Sequence, residues 1–128
     1  MKRCKVTITT AVDGRETEFS CVGTLDLSAR IVKLCYSEEN ASVSLILDGE
    51  TAQVERNGDY SLRLFLKRGK ENEGALGFGE NAGQIKVYTH RVAYSIGRDS
   101  VLASLHYDLL FGEDRQEMKL RVLARYIR

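Results

Sequence analysis

The chain has 128 residues, of which 43% are hydrophobic and 29% are charged, with 19 basic and 18 acidic side chains. This length and composition predict one globular domain, residues 1–128, whose core needs neither a metal nor a disulfide. The net charge of +1 argues against strong overall attraction to nucleic acid or to an anionic membrane. No apolar run approaches the roughly 18 residues of a membrane span, and "MKRCKVTITT" lacks the apolar region of a secretory signal.

The first strong local signal is the segment "TITTAVDGRETEFSC", in which two alternating runs flank Asp13-Gly14. This pair is favoured in tight hairpins because both residues can adopt positive φ. A two-residue turn sets Ile8 opposite Phe19 on one side of the hairpin. Further alternating runs follow in "RIVKLCYS", "ASVSLILD" and "YSLRLFLKRG", with predicted turns at Asp48-Gly49 and Asn57-Gly58. Short strands separated by such turns predict an antiparallel barrel or sandwich.

The last third of the chain fits two structures. "RDSVLASLHYDLLFG" and "EDRQEMKLRVLARYIR" can each be read as a capped helix. The same residues also alternate with a period of two, and the pattern favours strands. The strand interpretation makes Asp108 and Arg121 outward partners across a hairpin.

Three features occur in order along the chain: the opening "VTITT" hairpin with Asp13-Gly14, the central "LFLKRG", and "GQIKVYTHRV" before two long alternating segments. This order resembles the small bacterial YwiB-like family, a domain of unknown function with a calycin-like (lipocalin-like) β-barrel. The resemblance implies an all-β fold, a single antiparallel barrel of about eight to ten strands. It implies no reaction.

The stretch "GQIKVYTHRVAYSIG" changes phase at Thr89-His90-Arg91. Counting by twos from Ile85 carries Arg91 to the inside of the barrel, where it could bind an anionic group of a ligand. The alternative, which the pattern favours, is a β-bulge that turns Arg91 to solvent.

Several tyrosines fall on inward phases, and tyrosine combines an apolar ring with a polar tip. A barrel of this size is either filled by side chains or wide enough for one small ligand. We therefore predict a non-catalytic binding module for a small apolar, amphiphilic or anionic ligand. Its predicted lining is Tyr36, Tyr60, Thr89, Arg91 and Tyr107. The same tyrosines could instead pack at the barrel ends.

No catalytic constellation emerges. "GFGENA" matches a dinucleotide-binding loop in letters, but a strand follows it instead of the required helix. His106 is expected at the surface beside Asp108, and the direction of His90 is open. The three cysteines, Cys4, Cys21 and Cys35, lack paired or metal-like spacing and predict reduced thiols, mostly buried, in the cytoplasm. We expect no enzyme activity, no metal site and no cofactor.

Two surface hypotheses compete with ligand binding. Outward leucines and isoleucine predict a homodimer interface, formed by Leu102, Leu110, Leu123 and Ile127, with Leu102 and Ile127 as a pair across the last hairpin. Lys5 and Arg3 would lie near Arg121 and Arg125 if the last strand closes onto the first. That basic stripe predicts weak, non-specific nucleic-acid binding, and the nearby acidic residues argue against it.

Overall fold

Ten β-strands make up most of the chain in the computed structural model, which describes residues 1–127 and only the backbone of residue 29. The strands are β1 (Lys2–Val12), β2 (Arg15–Asp26), β3 (Val32–Glu38), β4 (Ala41–Asp48), β5 (Thr51–Gly58), β6 (Ser61–Lys67), β7 (Glu71–Phe78), β8 (Asn81–Ile96), β9 (Ser100–Phe111) and β10 (Asp114–Tyr126). A single 3-10 turn, Ser28–Arg30, joins β2 to β3. Within residues 1–127, no helix is long and apolar enough to cross a membrane.

Each strand pairs antiparallel with its neighbours, and β1 pairs with both β2 and β10, so that the sheet closes into one barrel. The prediction of an all-β, closed antiparallel barrel is confirmed. The last third of the chain forms β9 and β10, paired from Ser100–Arg125 to Asp114–Phe111 around a turn with Gly112 at a φ of 60°. Two helices there would leave the outer edges of β1 and β8 without hydrogen-bond partners, which explains why this part of the chain forms strands.

The first hairpin forms as predicted, with Asp13 and Gly14 at positive φ and Ile8 opposite Phe19. The hairpin predicted at Asn57-Gly58 forms between β5 and β6, but its turn lies slightly later, because β5 continues through Gly58, which pairs with Ala41. A Cβ atom at position 58 would lie 2.1 Å from the Asn40 carbonyl oxygen. Glycine is needed there for the close approach of two backbones, and the chain turns at the two following residues.

Alternate side chains fill the barrel, and layers of valine, leucine and alanine from all sides make one continuous core. Cys4 is fully buried in it and Cys21 is half-buried. Cys35 is exposed, so the expectation that the thiols are buried fails there: it lies one residue from Tyr36 on β3 and therefore faces the opposite side.

Two strand pairings are short. β2 meets β3 only from Thr24 to Asp26, and β6 meets β7 only from Ser61 to Arg63. Beyond these positions the two strands of each pair are not paired with each other. The first half of β2 therefore pairs with β1 alone.

A substitution at Leu105 tests which side chains of β9 face the barrel interior. It is 1% exposed, whereas Leu102 on the same strand is 49% exposed. We expect Leu105→Ala to lower the free energy of unfolding by about 2–5 kcal/mol, since it removes packed core atoms and leaves a cavity. Leu102→Ala is the matched control and should change it by less than about 0.5 kcal/mol. Chemical denaturation of the two variants measures this, and equal losses would contradict the assigned phase.

Candidate binding site on the outer face

A bulge in β8 shapes the most polar part of the barrel wall. Thr89 pairs with Tyr107 and Arg91 pairs with His106, which leaves His90 as the extra residue between them. The β6–β7 turn holds the backbone of Thr89, directly before the bulge, by two hydrogen bonds. The Thr89 amide donates to the Lys70 carbonyl over 3.1 Å, and the Thr89 carbonyl accepts from the Gly69 amide over 2.8 Å.

The bulge confirms the favoured interpretation of the phase change. Thr89 and Val92 face the core, whereas His90 and Arg91 both face outward. The prediction that Arg91 lines the barrel interior is wrong, because the extra residue shifts the phase of the strand, so that Val92 and not Arg91 follows Thr89 into the core. An unpaired guanidinium is thus kept out of the apolar core.

Asp108 occupies an outward position on β9, yet it is 3% exposed. His90 covers it, with the His90 Nε2 atom 2.8 Å from the Asp108 Oδ2 atom. The Nη1 atom of Arg115, from β10, lies 3.6 Å from the same oxygen. A carboxylate removed from water in this way is costly unless such partners surround it, so the bulge and β10 together make the position tolerable.

The second histidine extends this cluster. The ring centroids of His90 and His106 lie 4.5 Å apart, and Tyr88 meets His90 edge-on with centroids 4.9 Å apart. His106 Nε2 lies 3.3 Å from the Oε2 atom of Glu117. Glu117 is itself fixed by the first hairpin, because its amide donates to the Asp13 carboxylate over 2.8 Å. The side chains of His90, His106, Asp108, Arg115 and Glu117 form what we term the bulge cluster.

A groove of about 540 Å³ runs beside the bulge cluster on the outer face of β8, β9, β10, β1 and β2. Its polar lining includes Arg91, His106, Lys119 and Arg121, together with Glu16. Lys119 and Arg121 pair with Ala11 and Thr9 of β1, so closure of the barrel brings these cations beside the first strand. We term this feature the cationic groove.

The expected contacts of the last hairpin need correction. The register sets Asp108 against Glu117 and Arg121 against Ser104, so Asp108 and Arg121 are not partners. His106 is half-buried and its recorded polar contact is with Glu117, while Asp108 bonds His90. A pairing of Asp108 with Arg121 would need the turn between β9 and β10 to lie about two residues later in the chain than it does.

Three of the five predicted lining residues lie inside the barrel, whereas Tyr60 is half-buried and its ring lies against the Arg56 guanidinium, at 3.7 Å. Thr89 and Tyr107 are cross-strand partners, and Tyr36 lies near Tyr107. Tyr36, Thr89 and Tyr107 are all at most 7% exposed and form part of the packed core. The buried Thr89 Oγ1 atom has no hydrogen-bond partner within residues 1–127. Arg91 does not join them.

The predicted interface residues do not form one patch. Leu102 pairs directly with Leu123, and they are 49% and 42% exposed. Leu110 is half-buried at the far end of β9, opposite Arg115. Ile127 is exposed and follows the last pair of the hairpin, Arg125–Ser100, so the predicted pairing of Leu102 with Ile127 is wrong.

The closed barrel with a polar, bulged wall defines a class of small β-barrel domains. The chain belongs to the family named domain of unknown function (DUF1934), whose model matches residues 3–122. It is similar to the crystal structure of the YwiB protein from Bacillus subtilis, with a TM-score of 0.87 and 15% sequence identity, over 99% of this chain and 93% of that one. None of the curated proteins matches the chain. The expected resemblance to the YwiB-like family is thereby confirmed, and the structural likeness shows the fold.

The buried tyrosines give the barrel a defined response to alkali. Burial, followed by the nearby Tyr60, raises the pKa of Tyr107 to about 12. In the unfolded chain tyrosine has a pKa of about 10, so the unfolded state loses this proton first as pH rises. We expect the free energy of unfolding to fall between about pH 10 and 12.

Tyr107→Phe removes this ionisation with little change in volume. The variant should lose part of the alkaline decline seen in the wild-type protein, as measured by denaturant unfolding across that range. An unchanged decline would show that the Tyr107 hydroxyl is not shielded from water. Tyr36, whose pKa burial also raises, should account for part of the remainder.

Proposed function

We propose that this barrel is a non-catalytic binding module that holds a small anionic ligand, bearing phosphate or carboxylate, in the cationic groove. The observation that carries the proposal is a set of unpaired cations around one concavity. Arg91, Lys119 and Arg121 line the same groove and make no ion pair within the described chain, and Glu16 is the acidic residue of that lining. Three cations without carboxylate partners favour an anion from solution, which charge-assisted hydrogen bonds would hold.

This proposal keeps the binding role expected from the sequence and moves the ligand from the barrel interior to the outer face. Two observations support the move. The interior tyrosines pack within the core, and Arg91, the residue expected to meet an anionic ligand, lies at the groove.

Binding without catalysis is supported by the contacts of the histidines. Among residues 1–127, the polar side-chain contacts recorded for His90 and His106 are with carboxylates, and neither bonds a serine, threonine or cysteine. A histidine that activates a nucleophile would be within hydrogen-bond reach of one. The three free thiols support a reducing, cytoplasmic setting.

The test is binding of inorganic phosphate and of citrate, followed by amide chemical shifts. We expect shifts grouped around Arg91, Ser104 and Arg121. Arg121→Gln should weaken binding about tenfold or more, since it removes one charge-assisted contact. Arg98→Gln is the matched control, because it removes the same charge from the β8–β9 turn, outside the groove. Absence of grouped shifts with either anion, or equal weakening in both variants, would refute the proposal.

Self-association is a second candidate, because Leu102 and Leu123 lie side by side and exposed on the outer face. A second copy of the chain could cover this pair. We expect light scattering to show a dimer that Leu123→Ser weakens, while Phe65→Ser, which alters an exposed side chain on β6, leaves it intact. A monomer at every concentration would contradict this candidate.

A further inference from the structure

The bulge cluster contains the donor set of a transition-metal site. One ring nitrogen from each of His90 and His106 and one carboxylate oxygen from Asp108 lie within 4.8 Å of one another. We propose that these three side chains bind a divalent transition-metal cation of the zinc type on the outer face of the barrel. Of the three side chains only His106 also lines the cationic groove, so the metal proposal does not require that an anion binds there.

Two imidazoles and one carboxylate suit zinc and its neighbours, which accept nitrogen and oxygen donors. Zinc–ligand bonds of about 2.0–2.2 Å place tetrahedral donors roughly 3.4 Å apart. Since the donor atoms lie within 4.8 Å of one another, the most widely separated pair must approach by up to about 1.4 Å on binding. His90 can supply this movement, because its side chain is 36% exposed and sits on the bulge.

The bulge is what makes the triad possible. As the extra residue between the pairs Thr89–Tyr107 and Arg91–His106, His90 lies between two rows of the sheet. Its ring can therefore contact His106 on one side and Asp108 on the other, as the distances of 4.5 Å and 2.8 Å show. A regular strand would set it in one row only.

Two charged neighbours modulate the site. Glu117, with its carboxylate 3.3 Å from the Nε2 atom of His106, is positioned to orient that ring or to add a fourth donor. Arg115 has the opposite effect, because its cation lies 3.6 Å from the Asp108 oxygen and repels an incoming metal ion. Its side chain is 66% exposed, so it can swing into water when the metal replaces it.

Because the charge of Arg115 opposes the metal ion, its removal distinguishes a metal site from a cluster that only stabilises the fold. Tag-free, chelator-treated full-length protein is titrated with Zn²⁺ by calorimetry and with Co²⁺ by visible absorption. We expect one ion per chain. His90→Gln and Asp108→Asn should each weaken binding about tenfold or more, and Arg115→Gln should strengthen it several-fold because a competing positive charge is lost.

Asp114→Asn is the matched control for Asp108→Asn, since it removes a nearby carboxylate outside the triad, and it should bind as the wild type does. If Asp108→Asn fails to fold, His90→Gln decides, because a third of that side chain is already in water. The proposal is overturned if the wild type binds no metal ion. It is also overturned if His90→Gln binds as well as the wild type, which is the result expected if the thiols held the ion. Arg121→Gln should leave metal binding unchanged, so this result and the anion result can fail separately.

Discussion

The nine-residue pairing of β1 with β10, from Cys4–Tyr126 to Val12–Met118, joins the two ends of the chain and closes the barrel. Without it, both strands would expose rows of unpaired amides and carbonyls, and the core residues Val6 and Val122 would meet water. The same pairing sets Arg121 beside Thr9 and fixes the groove. Closure therefore determines both the inside of the barrel and the charged surface outside it.

The bulge in β8 is the second constraint. It interrupts the regular pairing of β8 with β9 and places polar side chains on the outer face. A regular strand would have carried Arg91 into the core. With one extra residue, both Arg91 and His90 face outward, and His90 leans over Asp108. An aspartate with 3% exposure on the outer face of a barrel is a burden on stability, offset by His90 and Arg115. Proteins commonly retain such local conflicts where a function requires them.

The sequence predicted most of the fold because alternation and turn chemistry are local. Asp13-Gly14 set the first register, and the phase change at Thr89 indicated a bulge. It misassigned Gly58, because a glycine that permits close backbone approach looks the same in sequence as one that turns the chain. It also did not assemble the bulge cluster. His90, Asp108 and Glu117 come from three strands, and only the register across them, with the unpaired residue included, shows that they meet.

The bulge cluster and the cationic groove share His106, and this shared residue couples the two proposals. A divalent ion bound by His90, His106 and Asp108 would add positive charge at the edge of the groove, because His106 also lines it. Coulombic attraction between that ion and an anion in the groove is substantial near a protein surface. Linkage then requires that an anion in the groove tighten metal binding by the same factor by which the metal tightens anion binding. The two proposed sites would therefore strengthen each other's binding, because His106 is a ligand of one and lines the other.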